Sequence, residues 1–281
     1  MKLIRQELLS GERALFNSND LEIVDTTFEE GESPLKESTN IILKDSVFKW
    51  KYPLWYCDVI KVSNTALLET ARSGIWYTNK IEINDSIIDA PKTFRRSNDI
   101  VLNNVLLTNA DETLWNCKDI KLNKVNAKGN YFGMNSKDVY VDNLQLSGDY
   151  AFDGVSNIEV HNSKLLSKDA FWNCENVKVY NSVIIGEYLG WNSKNVTFVN
   201  CTIESLQGLC YIENLVLENC KILNSELLFE YTTANAEVIT VIDSVKNPSG
   251  GIIQAKGIDE LILDDTKIDV SKTTFVLEET A

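Results

Sequence analysis

Ile158-Glu-Val-His-Asn-Ser163, Val177-Lys-Val-Tyr-Asn-Ser182, Val196-Thr-Phe-Val-Asn-Cys201 and Leu215-Val-Leu-Glu-Asn-Cys220 are four copies of one motif, and their starts lie 19 residues apart. The first and third residues of each copy are apolar, and the residue between them is usually polar. That alternation belongs to a strand with one face inside. An Asn and a small residue then close the copy, as a tight turn requires. A period near 19 residues is one turn of a coiled β-solenoid.

Outward from these copies, the pattern gives thirteen starts, from Leu21, Ile41, Ile60 and Ile81 through to Ile239 and Leu261, at spacings of 19 to 24 residues. Four residues past each start stands Asn or Asp, as at Asp25, Asp45, Asn64, Asp85, Asn104, Asn181 and Asn200; Lys124 is the exception. These residue types tolerate left-handed backbone and form side-chain ladders when stacked. An apolar residue three positions further on (Phe48, Ile88, Leu165, Ile184) begins a second strand, and a third precedes the next start, as in Gly74-Ile-Trp-Tyr-Thr78 and Ala170-Phe-Trp-Asn-Cys174. Three short strands per turn predict an all-β fold: a right-handed parallel β-helix of about 13 coils, forming one domain over residues 1–281. Residues 1–20 read as an N-terminal cap and first coil, with Leu3 to Leu9 as a helical capping segment, and residues 239–281 as irregular C-terminal coils around Asn247-Pro-Ser-Gly-Gly251.

The net charge of −14 makes nucleic acids and anionic membranes poor partners. The N-terminal sequence lacks the apolar core of a signal peptide, and no run approaches a membrane span. The expectation is therefore a cytoplasmic protein with reduced thiols, either a monomer or a weak homo-oligomer. Among six cysteines only Cys201 and Cys220 share a column in adjacent coils, where a bond between them is open. With a single histidine, His161, and no ligand set assembled, no metal or other cofactor is expected.

On period and turn chemistry the chain resembles the pectin-lyase-like right-handed β-helix superfamily. More narrowly, Glu12-Arg-Ala-Leu-Phe16, Gly31-Glu-Ser-Pro-Leu-Lys-Glu37, Tyr52-Pro-Leu-Trp-Tyr56 and Ser244-Val-Lys-Asn-Pro248 resemble the bacterial domain of unknown function 3737 family over nearly the full length. That resemblance implies no activity and carries no catalytic residue. The superfamily's hydrolase and lyase motifs are absent, so the fold supports a polysaccharide partner only by analogy.

The candidate site is a column on the third strand. Trp55, Trp76, Arg95, Trp115, Trp172 and Trp191 each follow a Leu, Ile or Phe (Leu54, Ile75, Phe94, Leu114, Phe171) or Gly190. Adjacent strand residues face opposite ways, and Arg95 inside a core is costly, so the Trp column is placed outward. An outward Trp line suits the apolar faces of sugar rings, although aromatics at repeat spacing are more often packing. Arg96 adjoins the column as a further ligand-binding candidate, and Asp153 and Asp169 are the candidate acid/base pair for polysaccharide processing, against the simpler view of solvated surface acids. Three readings follow: a carbohydrate-recognising scaffold, a polysaccharide hydrolase or lyase using surface Asp residues, and a structural or protein-binding solenoid.

Overall fold

The computed structural model describes residues 1–278, so the last three residues of the expected C-terminal coils lie outside the described residues. The chain divides into two compact units, Met1–Leu146 and Ser147–Ala281. Within the first, strands Lys2–Arg5, Asn19–Val24, Thr39–Lys44, Asp58–Ser63 and Asn79–Ile88 pair in parallel, start against start: Lys2 on Leu21, Leu21 on Ile41, Ile41 on Ile60 and Ile60 on Ile81. Within the second, Ser156–His161, Glu175–Tyr180, Lys194–Val199 and Glu213–Ile222 repeat the arrangement, with Ile158 on Val177, Val177 on Val196 and Val196 on Leu215.

This is a nearly all-β parallel solenoid of about 15 turns. The two extra turns come from the ends. Residues 2–9 form two strands of a full coil, not a helical cap, because Lys2–Arg5 pairs with Leu21–Val24 and Leu8–Leu9 with Thr27–Phe28. Toward the C-terminus the residues in register with Leu215 are Ala234, Gly251 and Thr273, not Ile239 and Leu261. A bulge between Leu217 and Cys220 shifts the ladder there, and the small residues carry no apolar pattern to reveal it.

The core is built from the alternation. Ile23, Ile41, Leu43 and Ile60 in the first unit, and Val160, Val177, Val179 and Val196 in the second, are fully buried. Each such side chain contributes about 1.5–3 kcal/mol of burial free energy. The bend after the first strand is set by the Asn/Asp column, which is left-handed from Asp25 (φ 50) and Asn64 (φ 47) to Lys124 (φ 52) and Asn219 (φ 51), but not at Asp243 or Asp265, where the expected register fails. The side chains form ladders between coils: Asn64 to Asp45 at 2.7 Å, Asn104 to Asp85 at 2.7 Å and Asn219 to Asn200 at 2.7 Å.

The third side departs from the expected strand. Extended pairing occurs at Ile75–Trp76 with Phe94–Arg95, with a bridge from Arg95 to Trp115, and in the last coils at Leu228 with Val245 and Val241–Lys246 with Gly257–Ile262. Elsewhere alternate residues are left-handed: Tyr150, Phe152 and Gly154, then Asp169, Phe171 and Asn173, then Tyr188, Gly190 and Asn192. The hydrogen bonds give the reason. Asp169 N donates forward to Glu187 O, Phe171 N backward to Ala151 O, and Asn173 N forward again to Trp191 O. Alternating the direction of donation flips alternate peptides. For Tyr and Phe this backbone costs about 1 kcal/mol or more each, and the two neighbouring coils offset it.

Candidate functional site

On this third side the Leu/Phe column faces in. Leu54, Ile75, Phe94 and Leu114 in the first unit, and Phe152, Phe171 and Leu209 in the second, are at most 1% exposed. The Trp column faces out and is half-exposed. Each indole is locked, because its Nε1–H donates to a backbone carbonyl of the following coil: Trp55 to Ser73 (2.5 Å), Trp76 to Lys92 (2.8 Å), Trp115 to Tyr131 (2.6 Å), Trp172 to Tyr188 (2.6 Å) and Trp191 to Gln207 (2.6 Å).

In Met1–Leu146 the rings stack along the coil axis. Trp55 and Trp76 lie 5.1 Å apart at 7°. Arg95 enters the same stack, its guanidinium 4.7 Å from the Trp76 ring and 4.6 Å from Trp115. Glu112 neutralises it at 3.2 Å, and Lys92 meets the same carboxylate at 3.2 Å. One donor, Arg95 Nε, is buried without a partner. Beside this stack runs a shorter one in which Tyr56 and Tyr77 lie 4.7 Å apart at 4°, with Lys36 over Tyr56 and Arg96 over Tyr77. Arg96 is exposed and donates to the Tyr77 hydroxyl at 3.4 Å. The structure thus gathers the predicted residues of this unit into one surface with the indole faces turned to each other, while the exposed Tyr56, at 76° to Trp55, and Tyr131, at 82° to Trp115, stand across the stack.

In Ser147–Ala281 the stack is a single pair, Trp172 and Trp191, 5.7 Å apart at 8°. Tyrosines stand across it: Tyr150 at 83° to Trp172, Tyr188 at 76° and Tyr211 at 60° to Trp191. Since the indole planes lie across the coil axis, a ring near 80° to them stands along the axis and offers a face rather than an edge. Ring angles alone reveal this arrangement, which repeat spacing does not encode.

Behind these rings lies the candidate acid Asp169. It is 2% exposed, and its Oδ1 has no hydrogen-bond partner, which differs from the solvated surface acid of the sequence reading. Burial raises its carboxyl above the ordinary range, while Lys168 and a hydrogen bond from Tyr150 act the other way. Lys168 is turned to Glu187 at 3.1 Å and lies over the Tyr188 ring. The coils approach closely here, since a Cβ on Gly186 would sit 1.9 Å from Ser167 O. Asp153 is half-exposed and accepts from Asn173 Nδ2 at 2.9 Å. The two candidate carboxylates are therefore held by different partners in different surroundings.

All six cysteines are free and buried. Cys57, Cys117 and Cys174 occupy a corner column filled elsewhere mostly by Ser or Thr, with Val155 and Ile212 as exceptions, where a backbone N–H donates to the hydroxyl of the next coil: Cys57 N to Thr78 Oγ1 at 3.2 Å, Cys117 N to Ser136 Oγ at 3.0 Å and Cys174 N to Ser193 Oγ at 2.9 Å. Burial pushes these three thiols up to about 12. Their column is a packing feature, not a nucleophile array. His161 bonds Glu159 at 2.6 Å and stacks on Tyr180. Among the described residues no group of three or more His, Cys, Asp or Glu is placed to hold a metal ion, and no helix is long and apolar enough to cross a membrane.

Comparison with solved structures finds QnrB1, a plasmid-mediated fluoroquinolone resistance protein, at 13% identity and TM-score 0.28, covering 79% of this chain and 94% of that one. It also finds the A-module of the mannuronan C-5 epimerase AlgE4 of Azotobacter vinelandii, at 11% identity and TM-score 0.29, covering 99% and 89%. Neither likeness bears on function at these values. A search of curated proteins finds no match. The family model described as "Protein of unknown function (DUF3737)" matches residues 2–276, and the chain belongs to that family.

Proposed function

We propose that the protein is a carbohydrate-recognising β-solenoid without catalytic machinery, and that its binding face is the third side of Ser147–Ala281. The carrying observation is the set of tyrosine rings standing across the Trp172/Trp191 pair, outside an inner column already complete without them. Sugar rings stack on aromatic faces and hydrogen-bond to polar rims. Here upright tyrosines supply faces, and the exposed Asn173 and Asn192 flank the indoles. The exposed Tyr211 extends the line. Asp169 in this reading orders the Tyr150 hydroxyl from behind and does not act on the ligand.

A second reading has its own support. In Met1–Leu146 the stacked faces are consumed by Trp55, Trp76, Arg95 and Trp115 themselves, so that column serves as an external brace for the coils. Titration of the whole chain against a panel of neutral and acidic oligosaccharides separates the readings. The proposal expects at least one glycan to bind, and Trp191→Ala to weaken it about tenfold or more. No binding up to millimolar glycan would end it and leave the brace reading for both units.

A further inference from the structure

The bend between the first and second strands of Met1–Leu146, a surface separate from the third side, forms a shallow channel. Two hollows of about 230 and 370 Å³ share Asp85 and Ile87. One wall is the amide and carboxylate ladder that includes Asp45 and Asp85. The other is an outward apolar stripe of Val47, Ala66, Ile87 and Leu106, one residue per coil, with Ile87 49% and Leu106 38% exposed. Scattered exposed apolar residues are ordinary, but a line of four in register beside an acidic ladder is a docking pattern. Asp45 and Asp85 each accept one amide hydrogen bond, at 2.7 Å, and enter no ion pair among the described residues. Lys124 breaks the ladder at one end of the channel.

The geometry points to a basic amphipathic α-helix of a partner protein as the occupant, lying along the stripe. Coils repeat at about 4.8 Å. Apolar residues on one helix face recur about every 5.4 Å, so four of them stay within about 2 Å of register over four coils. Alternate residues of an extended strand recur at about 6.6–6.8 Å and lose register within two coils. The unpaired carboxylates of Asp45 and Asp85 select lysine or arginine on the helix flank. Lys124 favours the helix C-terminus at its end and the aspartates the N-terminus at theirs. The described residues contain no α-helix, so they offer no such segment for a second copy to supply.

Three synthetic peptides of identical Leu/Lys/Gln composition test this against the full chain by fluorescence anisotropy. One has leucines at helical spacing, one alternates Leu and Lys as a strand would, and one is scrambled. The helical peptide is expected to bind at least about tenfold tighter than the others. Ile87→Lys and Leu106→Lys, both at exposed positions and checked for folding by circular dichroism, should remove that preference, and Asp45→Asn with Asp85→Asn should flatten its salt dependence. Equal binding of the three peptides, stronger binding of the alternating one, or an unchanged affinity in the folded Ile87→Lys variant would overturn the assignment.

Discussion

The two units solve one problem differently. Both place a charge on the aromatic third side. In Met1–Leu146 the charge of Arg95 stands inside the stack, covered by two indoles and neutralised by Glu112. In Ser147–Ala281 the charge of Asp169 stands behind the stack, buried, with one oxygen unpartnered. A guanidinium is planar and weakly hydrated, so a ladder of rings can accept it as one more rung. A carboxylate has no such option. The first arrangement continues the stack through Arg95 to Trp115; the second leaves a polar group held in place with capacity to spare behind a single stacked pair of indoles. Each unit keeps one buried polar atom without a partner, Arg95 Nε in the first and Asp169 Oδ1 in the second, so the difference lies in where the charge stands relative to the rings.

The largest expected effect tests what the units share. Phe94→Ala and Phe171→Ala each empty a fully buried inward position, and each should cost about 3–5 kcal/mol in urea unfolding. A loss under about 1 kcal/mol in either would show that the inward column is misassigned in that unit. Next, Arg95→Ala should cost about 2 kcal/mol, by unstacking Trp76 and Trp115 and leaving Glu112 with Lys92 alone. Arg95→Lys should recover only part of it, because an ammonium keeps the charge but not the planar rung. Full recovery by lysine would reduce the brace to a simple ion pair.

Asp169→Asn should move stability the other way. The folded state holds the Asp169 proton to higher pH than the ordinary 3.8 of the unfolded chain. Its favourable contribution is thus complete below that value and lost as pH rises through the raised one. At pH 7 the variant should be more stable by about 1 kcal/mol, and the gain should shrink as pH falls toward 4. A variant less stable at pH 7 would mean that the carboxylate is paired after all. The smallest effect belongs to the corner columns, where Cys57→Ser and Cys174→Ser replace one small polar group by another in a ladder that already contains serine, and should change stability by about 0.5 kcal/mol or less. Cys174→Val keeps the size but ends the contact of the thiol with Phe152 O at 3.0 Å, and should cost more.

Much of this was legible in the chain. The 19-residue period, the alternation of Val177 with Val179, the left-handed Asn column and the inward Leu/Phe against outward Trp assignment each rest on a residue type with a strong local preference. What stayed hidden had no such preference. Tyr150, Phe152 and Phe171 are left-handed, yet nothing in a tyrosine or phenylalanine announces that backbone, so the third side read as a strand. Lys2 and Ala234 occupy start positions without the apolar pair that marks the others. Asp169 is buried and meets Tyr150 and Glu187 from the coils to either side, and a column of sequence shows spacing but not depth. Ring orientation, which separates stacked edges from upright faces, is a property of packing alone.

The most direct test of the account follows the indole N–H signals by ¹H–¹⁵N NMR while the tightest glycan from the panel is titrated into the whole chain. The five locked indoles are distinct reporters, three in one unit and two in the other. The account predicts that Trp172 and Trp191 shift with the ligand while Trp55, Trp76 and Trp115 stay in place. Shifts confined to the first unit, or no indole responding to any glycan, would contradict it.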